Sequence, residues 1–329
     1  MRGIYELAVG VCVVIGAGIV CPVHGQKPAG TVRASPERLS PALIRVPVWV
    51  EPGSGAAGMP EFQATVAGSP SKILAVKNPA DDLLLMVVLD MTQDLTQATA
   101  AKAALVAEIA KLPAKTVVSV LRAQDSLKVL ADPTTDRTKP PEAIEALKIS
   151  GKAGLLDTVE FLAGAGDAIL RESAVRVAVL YLTDSDIQNY RENFTNPVVN
   201  SSDTRDLSRK FPEAPIQERI AKLSTRLSRR QTPLFVVHLV YRSDRLNEAY
   251  QSGLQQLAET TAGTSLFCHS SSEVTDAIQK SFERIQSHYS LTLVLPPRAP
   301  KTVPVQISAN GANGGKILSY RTQIAVKGK

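Results

Sequence analysis

The sequence is short of aromatic residues and of clustered charge, and these shortages exclude several classes of function. Aromatic residues make up 5% of the 329 residues, and the formal net charge of +6 is scattered without a long Lys/Arg run. A nucleic-acid-binding surface needs a concentrated basic patch, so nucleic acid is not expected as a partner. The sequence has no zinc-ligand spacing, phosphate-binding glycine loop or dinucleotide fingerprint. We therefore expect no nucleotide or zinc cofactor.

Cysteine is also scarce. Two of the three cysteines, Cys12 and Cys21, lie within the first 25 residues, which leaves Cys268 alone in the rest of the chain. A single cysteine cannot form an internal disulfide. Because Cys268 lies in an apolar segment, we expect it to be a small buried hydrophobic residue rather than a reactive thiol. His238, inside an apolar run, is likewise expected to be a hydrogen-bonded core residue.

The N-terminus has the pattern of a secretory signal peptide. Arg2 precedes an apolar run over 7–20, and small or medium residues lead up to Gly25. The run is shorter than the ~20 residues that span a bilayer, which favours a signal peptide over a retained membrane anchor. We predict cleavage after Gly25 and a secreted or periplasmic protein. No second apolar segment is long enough to cross a membrane, so no span is expected in the mature chain.

Composition divides the remaining chain into four parts. Residues 26–42 are rich in Pro, Ser, Gly and Lys and predict a flexible lead-in. Residues 43–80 alternate like short β-strands, and residues 290–329 do the same around a glycine-rich turn at 310–315. Between them, residues 81–289 alternate apolar runs with amphipathic helices. We expect the two β segments to pack together as one small accessory β unit.

The alternation within residues 81–289 is typical of a doubly wound α/β fold, with a mostly parallel sheet and helices on both faces. The continuous apolar run 83–89 is expected to be a strand buried on both sides. Residues 187–215 are polar and predict a long irregular loop. The predicted strands are 83–89, 116–121, 127–130, 175–182, 234–240 and 265–268, and the predicted helices are 95–112, 140–147, 155–171, 216–230, 245–261 and 272–288.

Two of the predicted strands end in acidic residues. The first central strand is followed by Asp90, Thr92 and Asp94, and the strand 175–182 is followed by Asp184 and Asp186. Ligands of open parallel sheets bind at the carboxyl ends of the strands, so these residues are the candidates for a site. Carboxylate and hydroxyl oxygens are hard ligands of the kind that Mg²⁺ or Ca²⁺ selects.

These motifs resemble the von Willebrand factor type A domain with its metal-ion-dependent adhesion site. The resemblance comes from a strand ending in D-x-[ST]-x-[SD], a G-x-T-A-L-x-D-like segment before a helix and a strand ending in TD, and it covers about residues 82–290. With the preceding V-P-V-x-V run, the chain is similar to exported von Willebrand A-related proteins of Acidobacteria over about residues 43–326.

The resemblance implies a non-enzymatic domain that recognises a protein or matrix partner, of unknown identity, through a bound Mg²⁺, Mn²⁺ or Ca²⁺ ion. Asp90 and Thr92 would be metal ligands, and Asp184 would lie on the opposite side of the ion. Two departures make the site degenerate. Asp94 stands where the family has a second serine, and Ala153 stands at the threonine ligand position and has no oxygen to offer.

Three alternatives remain open from the sequence. In the first, Asp90 and Thr92 cap the following helix and Asp184 and Asp186 lie in solvent. In the second, the protein is a structural or scaffolding envelope protein without a metal, whose partner binds the polar segment 187–215 or the basic helix 219–230. In the third, the acidic strand ends belong to a haloacid-dehalogenase-like phosphohydrolase, although Thr92 stands where that family needs its second aspartate.

Overall fold

The computed structural model describes residues 42–51, 59–194, 214–310 and 316–326. The strands are β1 (Leu43–Val50), β2 (Glu61–Val66), β3 (Ser69–Ser71), β4 (Ile73–Lys77), β5 (Leu83–Asp90), β6 (Val117–Arg122), β7 (Lys128–Thr134), β8 (Arg176–Thr183), β9 (Leu234–His238), β10 (Ser265–Phe267), β11 (Tyr289–Val294), β12 (Thr302–Asn310), β13 (Ile317–Tyr320) and β14 (Gln323–Ala325). The helices are α1 (Leu95–Lys111), α2 (Lys139–Glu145), α3 (Leu155–Glu172), α4 (Ile187–Phe194), α5 (Ala214–Leu227), α6 (Arg245–Thr260) and α7 (Ser271–Gln286).

The central sheet has six strands in the order β10-β9-β8-β5-β6-β7. All neighbours are parallel except β6 and β7, which are antiparallel. Every residue of β5 and β8 is buried, because helices cover both faces of the sheet. This burial explains why the two strands are continuous apolar runs rather than alternating ones. The predicted α/β class with a mostly parallel sheet is confirmed.

Two apolar clusters separate the two faces of the sheet. Helices α1, α2 and α7 pack on one face, around Leu105, Ile144 and Phe282. Helices α3, α4, α5 and α6 pack on the other face, around Leu162 and Tyr250. The fold is therefore doubly wound, as the alternation of apolar runs and amphipathic helices predicts.

Two further sheets, each of four strands, combine the beginning and the end of the described chain. Their strand orders are β13-β1-β11-β4 and β14-β12-β2-β3. Strand β1 pairs with β11, and β2 pairs with β12, both antiparallel. The two sheets share one apolar cluster that includes Val46, Val305 and Leu291. Trp49 of β1 instead joins the core of the six-stranded sheet and donates its Nε1–H to the Arg284 carbonyl at 2.7 Å.

One secondary-structure expectation is wrong. Residues 187–215 are predicted to be irregular, but the segment begins with helix α4, and helix α5 starts at its end. Helix α4 was missed because Ile187 and Tyr190 are the only apolar residues of its first turn, and they suffice to pack it against the sheet. The rest of that segment lies outside the described residues, as do residues 1–41, with the predicted signal peptide and most of the predicted lead-in, and residues 311–315 of the predicted turn. Within the described ranges, the helices are too short or too polar to span a membrane.

The guanidinium group of Arg176, at the start of β8, binds four backbone carbonyls beneath the sheet. Its Nη1 donates to Gln286 at 2.9 Å and His288 at 3.2 Å, and its Nη2 donates to Pro79 at 2.6 Å and Asp81 at 2.9 Å. Arg176 is only 2% exposed. It therefore joins the end of α7, the start of β11 and the β4–β5 connection at one buried point.

Two more arginines bind carbonyls at helix C-termini in the same way. Arg45 of β1 donates to the Ser173 carbonyl, which follows α3, at 2.8 Å. Arg321, between β13 and β14, donates to the carbonyls of Ser228 and Arg230, which follow α5. The last carbonyls of a helix lack partners within the helix and carry its partial negative charge, so a guanidinium group suits both needs.

The Arg176→Gln variant should lose about 3 kcal/mol of unfolding free energy, because several buried carbonyls would lose their donor. Urea denaturation followed by circular dichroism would measure the loss. The exposed Arg298→Gln variant is the matched control and should change the free energy by less than about 0.5 kcal/mol. Equal effects of the two substitutions would show that Arg176 does not join these elements.

Candidate functional site

The acidic residues predicted to form a site lie at one edge of the sheet. Strands β5 and β8 are parallel neighbours, and Asp90 lies opposite Thr183 in their register. Asp184 follows directly, so both carboxylates belong to the carboxyl-end edge of the same pair of strands. We name this region the strand-end crevice and define it by residues 90–95, 152–155 and 183–186. Asp90 and Asp184 are both 0% exposed.

The Asp184 carboxylate binds the loop that connects β5 to α1. One of its oxygens accepts the Thr92 N–H at 2.6 Å and the Thr92 hydroxyl at 3.2 Å. The other oxygen accepts the N–H groups of Gln93 and Asp94, both at 2.8 Å. Three successive N–H groups at the beginning of a helix form a favourable site for an anion. Asp184 thus fixes the conformation of the loop before α1.

The Asp90 carboxylate binds the first turn of α3. It accepts the N–H groups of Gly154 at 2.8 Å and Leu155 at 3.1 Å, and the Thr183 hydroxyl at 3.2 Å. Gly154 is the N-cap residue of α3 and has no side chain to cap the helix itself. A Cβ at Gly154 would lie 2.0 Å from the Ala123 carbonyl oxygen, so glycine is required and Asp90 supplies the cap.

The pKa of Asp90 is raised from 3.8 to about 7: burial raises it most and the negative charge of Asp184 adds to the rise, whereas the hydrogen bonds from Gly154, Leu155 and Thr183 oppose it. Complete desolvation penalises the charged form of a carboxyl group. The hydrogen bonds to Gly154, Leu155 and Thr183 recover part of that cost. Asp90 is consequently a buried carboxyl group that changes its charge near neutral pH.

The other predicted ligands have different roles. Asp94 is the N-cap of α1 and accepts the Gln97 N–H at 2.9 Å. The Thr92 hydroxyl donates to Asp184. Ala153 is 6% exposed and contributes only a methyl group. The alternative in which Asp184 and Asp186 lie in solvent is wrong, because they are 0% and 5% exposed. The alternative in which Asp90 caps the helix that follows it is also wrong, because it caps α3.

These residues do not fit a divalent cation held mainly by protein oxygens. Three of the four carboxylate oxygens of Asp90 and Asp184 accept two hydrogen bonds each, which occupy both lone pairs, and the fourth accepts one. Mg²⁺ takes six oxygens, and Ala153 supplies none. Among the described residues, no group of three His, Cys, Asp or Glu side chains is arranged to hold a metal ion. The Thr92 hydroxyl oxygen and the second carboxylate oxygen of Asp94 remain as possible metal ligands. The assignment of metal ligands stays a prediction.

A chain of buried hydroxyl groups, which the sequence did not reveal, extends from Asp90. The Thr183 hydroxyl is 2.5 Å from that of Ser185, and the Ser185 hydroxyl is 2.8 Å from the Tyr250 hydroxyl. Tyr250 lies in α6, far from the other residues in the sequence. No spacing rule connects these positions, so only the folded arrangement identifies them. These hydroxyl groups are hydrogen-bond partners for one another, which allows them to be buried behind the crevice.

His238 and Cys268 are core residues, as their sequence environments predict. His238 is 1% exposed, and its Nε2 lies 2.7 Å from the Ser185 carbonyl oxygen. Burial lowers the pKa of His238 from 6.5 to about 4, so the ring is neutral at physiological pH. Cys268 is 1% exposed, and burial raises the pKa of its thiol from 9.0 to about 11. A thiol of that kind is a poor nucleophile.

No protein-family model and no curated protein matches this chain. Among solved structures, it is similar to a von Willebrand factor type A protein from Catenulispora acidiphila, at 12% identity and a TM-score of 0.44, over 87% of this chain and 74% of that one. It is also similar to the conserved hypothetical protein BatB from Bacteroides thetaiotaomicron, at 15% identity and a TM-score of 0.39, over 62% of this chain and 98% of that one. A third similar structure is the mussel byssus proximal thread matrix protein 1 with a zinc-occupied MIDAS motif, at 13% identity and a TM-score of 0.41, over 66% and 48% of the two chains.

The Asp184→Asn variant should lose about 3 kcal/mol of unfolding free energy. An amide has one acceptor oxygen instead of two, and it lacks the charge that strengthens the hydrogen bonds from the loop. Urea denaturation would measure the change, with the exposed Asp132→Asn variant as the control. A loss below about 0.5 kcal/mol, the usual range of surface substitutions, would mean that Asp184 does not hold the loop.

The titration of Asp90 should make the protein less stable as the pH rises from about 4 to about 7. In this interval the unfolded chain has released the Asp90 proton, whereas the folded protein, in which burial raises the pKa to about 7, still holds it. His238 acts in the opposite direction, because burial lowers its pKa to about 4 and its contribution is lost as the pH falls below 6.5.

The quantity to measure is therefore the difference in melting temperature between the wild type and the Asp90→Asn variant, from pH 4 to pH 8 with chelator present. This subtraction removes the histidine contributions. We expect the wild type to lose stability relative to the variant as the pH increases. A difference that is constant over the interval would show that Asp90 does not titrate there.

Proposed function

We propose that this protein is an exported, non-catalytic recognition domain of the von Willebrand A type, which binds a protein or matrix partner at the strand-end crevice. Residues 1–25 would be its signal peptide, cleaved after Gly25, and the protein would act in the periplasm or outside the cell. The crevice supports this role because the carboxyl ends of parallel strands are where open α/β sheets bind their ligands.

The observation that carries the proposal is the attachment of both crevice loops by buried carboxylates. Asp184 binds the loop before α1, and Asp90 binds the first turn of α3. Side chains on these loops are nevertheless accessible, since Gln93 is exposed and Leu95 is 67% exposed. A surface held in one conformation loses little entropy when it binds, which favours affinity for a partner.

The same geometry argues against phosphoryl transfer. A nucleophilic carboxylate must reach the substrate, but Asp90 is 0% exposed and its oxygens bind the N–H groups of Gly154 and Leu155. The position two residues further on holds Thr92, whose hydroxyl donates to Asp184. A threonine there cannot act as the acid or base of a phosphohydrolase at neutral pH. Binding is therefore the better-supported function.

We propose that recognition does not require a divalent cation. Hydrogen bonds occupy most of the lone pairs of the Asp90 and Asp184 carboxylates, two of the groups that the resemblance assigns to Mg²⁺, Mn²⁺ or Ca²⁺. The second candidate is cation-dependent recognition through Thr92 and Asp94, because these two residues retain oxygen donors at the mouth of the crevice. In that case an acidic group of the partner would complete the coordination of the ion.

An affinity capture from envelope extract would test the site. The wild-type protein should retain a partner that the Leu95→Asp variant loses, because the substitution places a charge in the centre of the contact. The Leu318→Asp variant changes a residue of similar exposure, 53%, on β13 and should retain the partner. Retention by all three proteins would show that the partner binds elsewhere, as in the scaffolding alternative.

A parallel capture with chelator separates the two candidates. Cation-independent recognition predicts the same recovery of the partner with and without chelator. If chelator abolishes recovery and Mg²⁺, Mn²⁺ or Ca²⁺ restores it, the cation-dependent candidate replaces the first one. Loss of the partner in the Leu95→Asp variant is expected in both cases, so the two arms report on different parts of the proposal.

A further inference from the structure

A second concave surface lies at the other end of the helices, where α3 and α5 finish. It is a cleft of about 450 Å³ whose walls come from these helix ends, from the beginning of β1 and from β14. Four arginines line it, namely Arg171, Arg226, Arg229 and Arg230. We name this region the arginine cleft. It shares no residue with the strand-end crevice.

The positive charge of the arginine cleft is only partly compensated. Arg226 and Arg230 both contact Glu160, at 2.8 and 3.8 Å. Arg171 and Arg229 are exposed, and in the described ranges no carboxylate lies within ion-pair distance of either of them. One glutamate therefore serves two guanidinium groups while two others have no described counter-ion.

The second carboxylate in the cleft is committed to the backbone. One Asp167 oxygen accepts the N–H groups of Gln231 at 2.9 Å and Thr232 at 3.0 Å, and also the Thr232 hydroxyl at 3.0 Å. Asp167 is 5% exposed, and its charge acts on Arg230 and the buried Arg321 rather than on Arg171 or Arg229. It stabilises the turn between α5 and β9 and leaves the exposed arginines available to an external anion.

The Arg230 guanidinium group packs against Gly164 of α3. A Cβ placed on Gly164 of α3 would lie 3.2 Å from the guanidinium carbon of Arg230, so the absence of a side chain at this position admits the arginine. The Nε of Arg230 is buried and has no hydrogen-bond partner among the described residues. This Nε is enclosed by protein atoms, so the exposed Arg171 and Arg229, rather than this atom, are available to a ligand.

The remaining walls are aliphatic and indicate the kind of ligand. The exposed Leu43 and the half-buried Val326 line the cleft in front of the buried Ile44, Leu295 and Ile324, and its described lining includes no aromatic residue. Single-stranded nucleic acids bind on aromatic stacking platforms, which this lining does not offer. A bilayer surface is flat and cannot enter a concave cleft. Guanidinium groups beside aliphatic walls suit a peptide whose acidic side chains are interspersed with aliphatic ones.

We propose that the arginine cleft binds an acidic, aliphatic peptide segment of a protein partner, with Arg171 and Arg229 contacting its carboxylates. The neighbouring parts of this chain are not suitable occupants. Residues 26–41 carry Lys27, Arg33 and Arg38 against Glu37, and residues 327–329 carry Lys327 and Lys329. These basic segments would add to the positive potential rather than neutralise it, so we assign the acidic segment to another molecule.

Fluorescence anisotropy with the purified protein would test the assignment. The probe is a labelled peptide of three glutamates alternating with three leucines, and its glutamine–leucine counterpart and inorganic phosphate are the comparison ligands. The Arg171→Gln/Arg229→Gln double variant should bind the acidic peptide at least about tenfold more weakly, because two charge-assisted contacts are lost. The Lys128→Gln/Lys139→Gln double variant removes the same charge from exposed sites outside the cleft and should bind like the wild type.

Each outcome decides the proposal. Selective weakening in the arginine variant, with an unchanged melting temperature, supports the arginine cleft as a peptide site. Equal weakening in both double variants, equal affinity for the glutamine peptide, tighter binding of phosphate than of the peptide, or no binding at all would overturn it. The Leu95→Asp variant should bind the acidic peptide normally, so this experiment succeeds or fails independently of the strand-end crevice.

Discussion

The rest of the structure depends on the common direction of the helices over a parallel sheet. Helices α1, α3 and α6 run antiparallel to the parallel strands, so their N-termini lie at the carboxyl edge of the sheet and their C-termini at the opposite edge. Helix α2, which follows the antiparallel strand β7, does not share this direction. The unpaired N–H groups at one edge need acceptors, and the unpaired carbonyls at the other need donors. The chain places carboxylates at the first edge, Asp90, Asp94, Asp184 and Asp244, and guanidinium groups at the second, Arg45, Arg176 and Arg321.

The two edges therefore differ in charge, with acidic side chains at one and arginines at the other, because helix N-termini lie at the first and helix C-termini at the second. At the carboxyl edge, the buried acids act across the sheet, since Asp90 of β5 binds α3 and Asp184 after β8 binds the loop before α1. Residues at the ends of β5 and β8 therefore hold the two loops that flank the crevice, the loop before α1 and the first turn of α3. At the opposite edge, the arginines bind the accessory β-sheets to the helix ends. Arg171 and Arg229, at the same edge, line the arginine cleft instead.

Much of the fold can be predicted from the sequence, because apolar runs such as 83–89 and 175–182 must be buried on both sides. The meeting of Asp90 and Asp184 at one edge also follows from the pattern. Their hydrogen-bond partners could not be predicted, because they are the backbone N–H groups of Gly154 and Gln93, and every residue except proline has such a group. The burial of Asp184 could not be predicted either, since an aspartate after a strand has the same pattern whether it faces solvent or a helix terminus.

The pairing of β1 with β11 has a consequence for how the chain folds. Val46 lies opposite Leu291, so this sheet closes only after almost the whole chain is available. Contacts between residues so distant in sequence form late, because a long loop must be closed before they contribute stability. During synthesis the apolar residues of β1, including Trp49, have no sheet to join. A chain that crosses a membrane unfolded would avoid this period on the cytoplasmic side, and the accessory sheets would close only after the last strands have passed through.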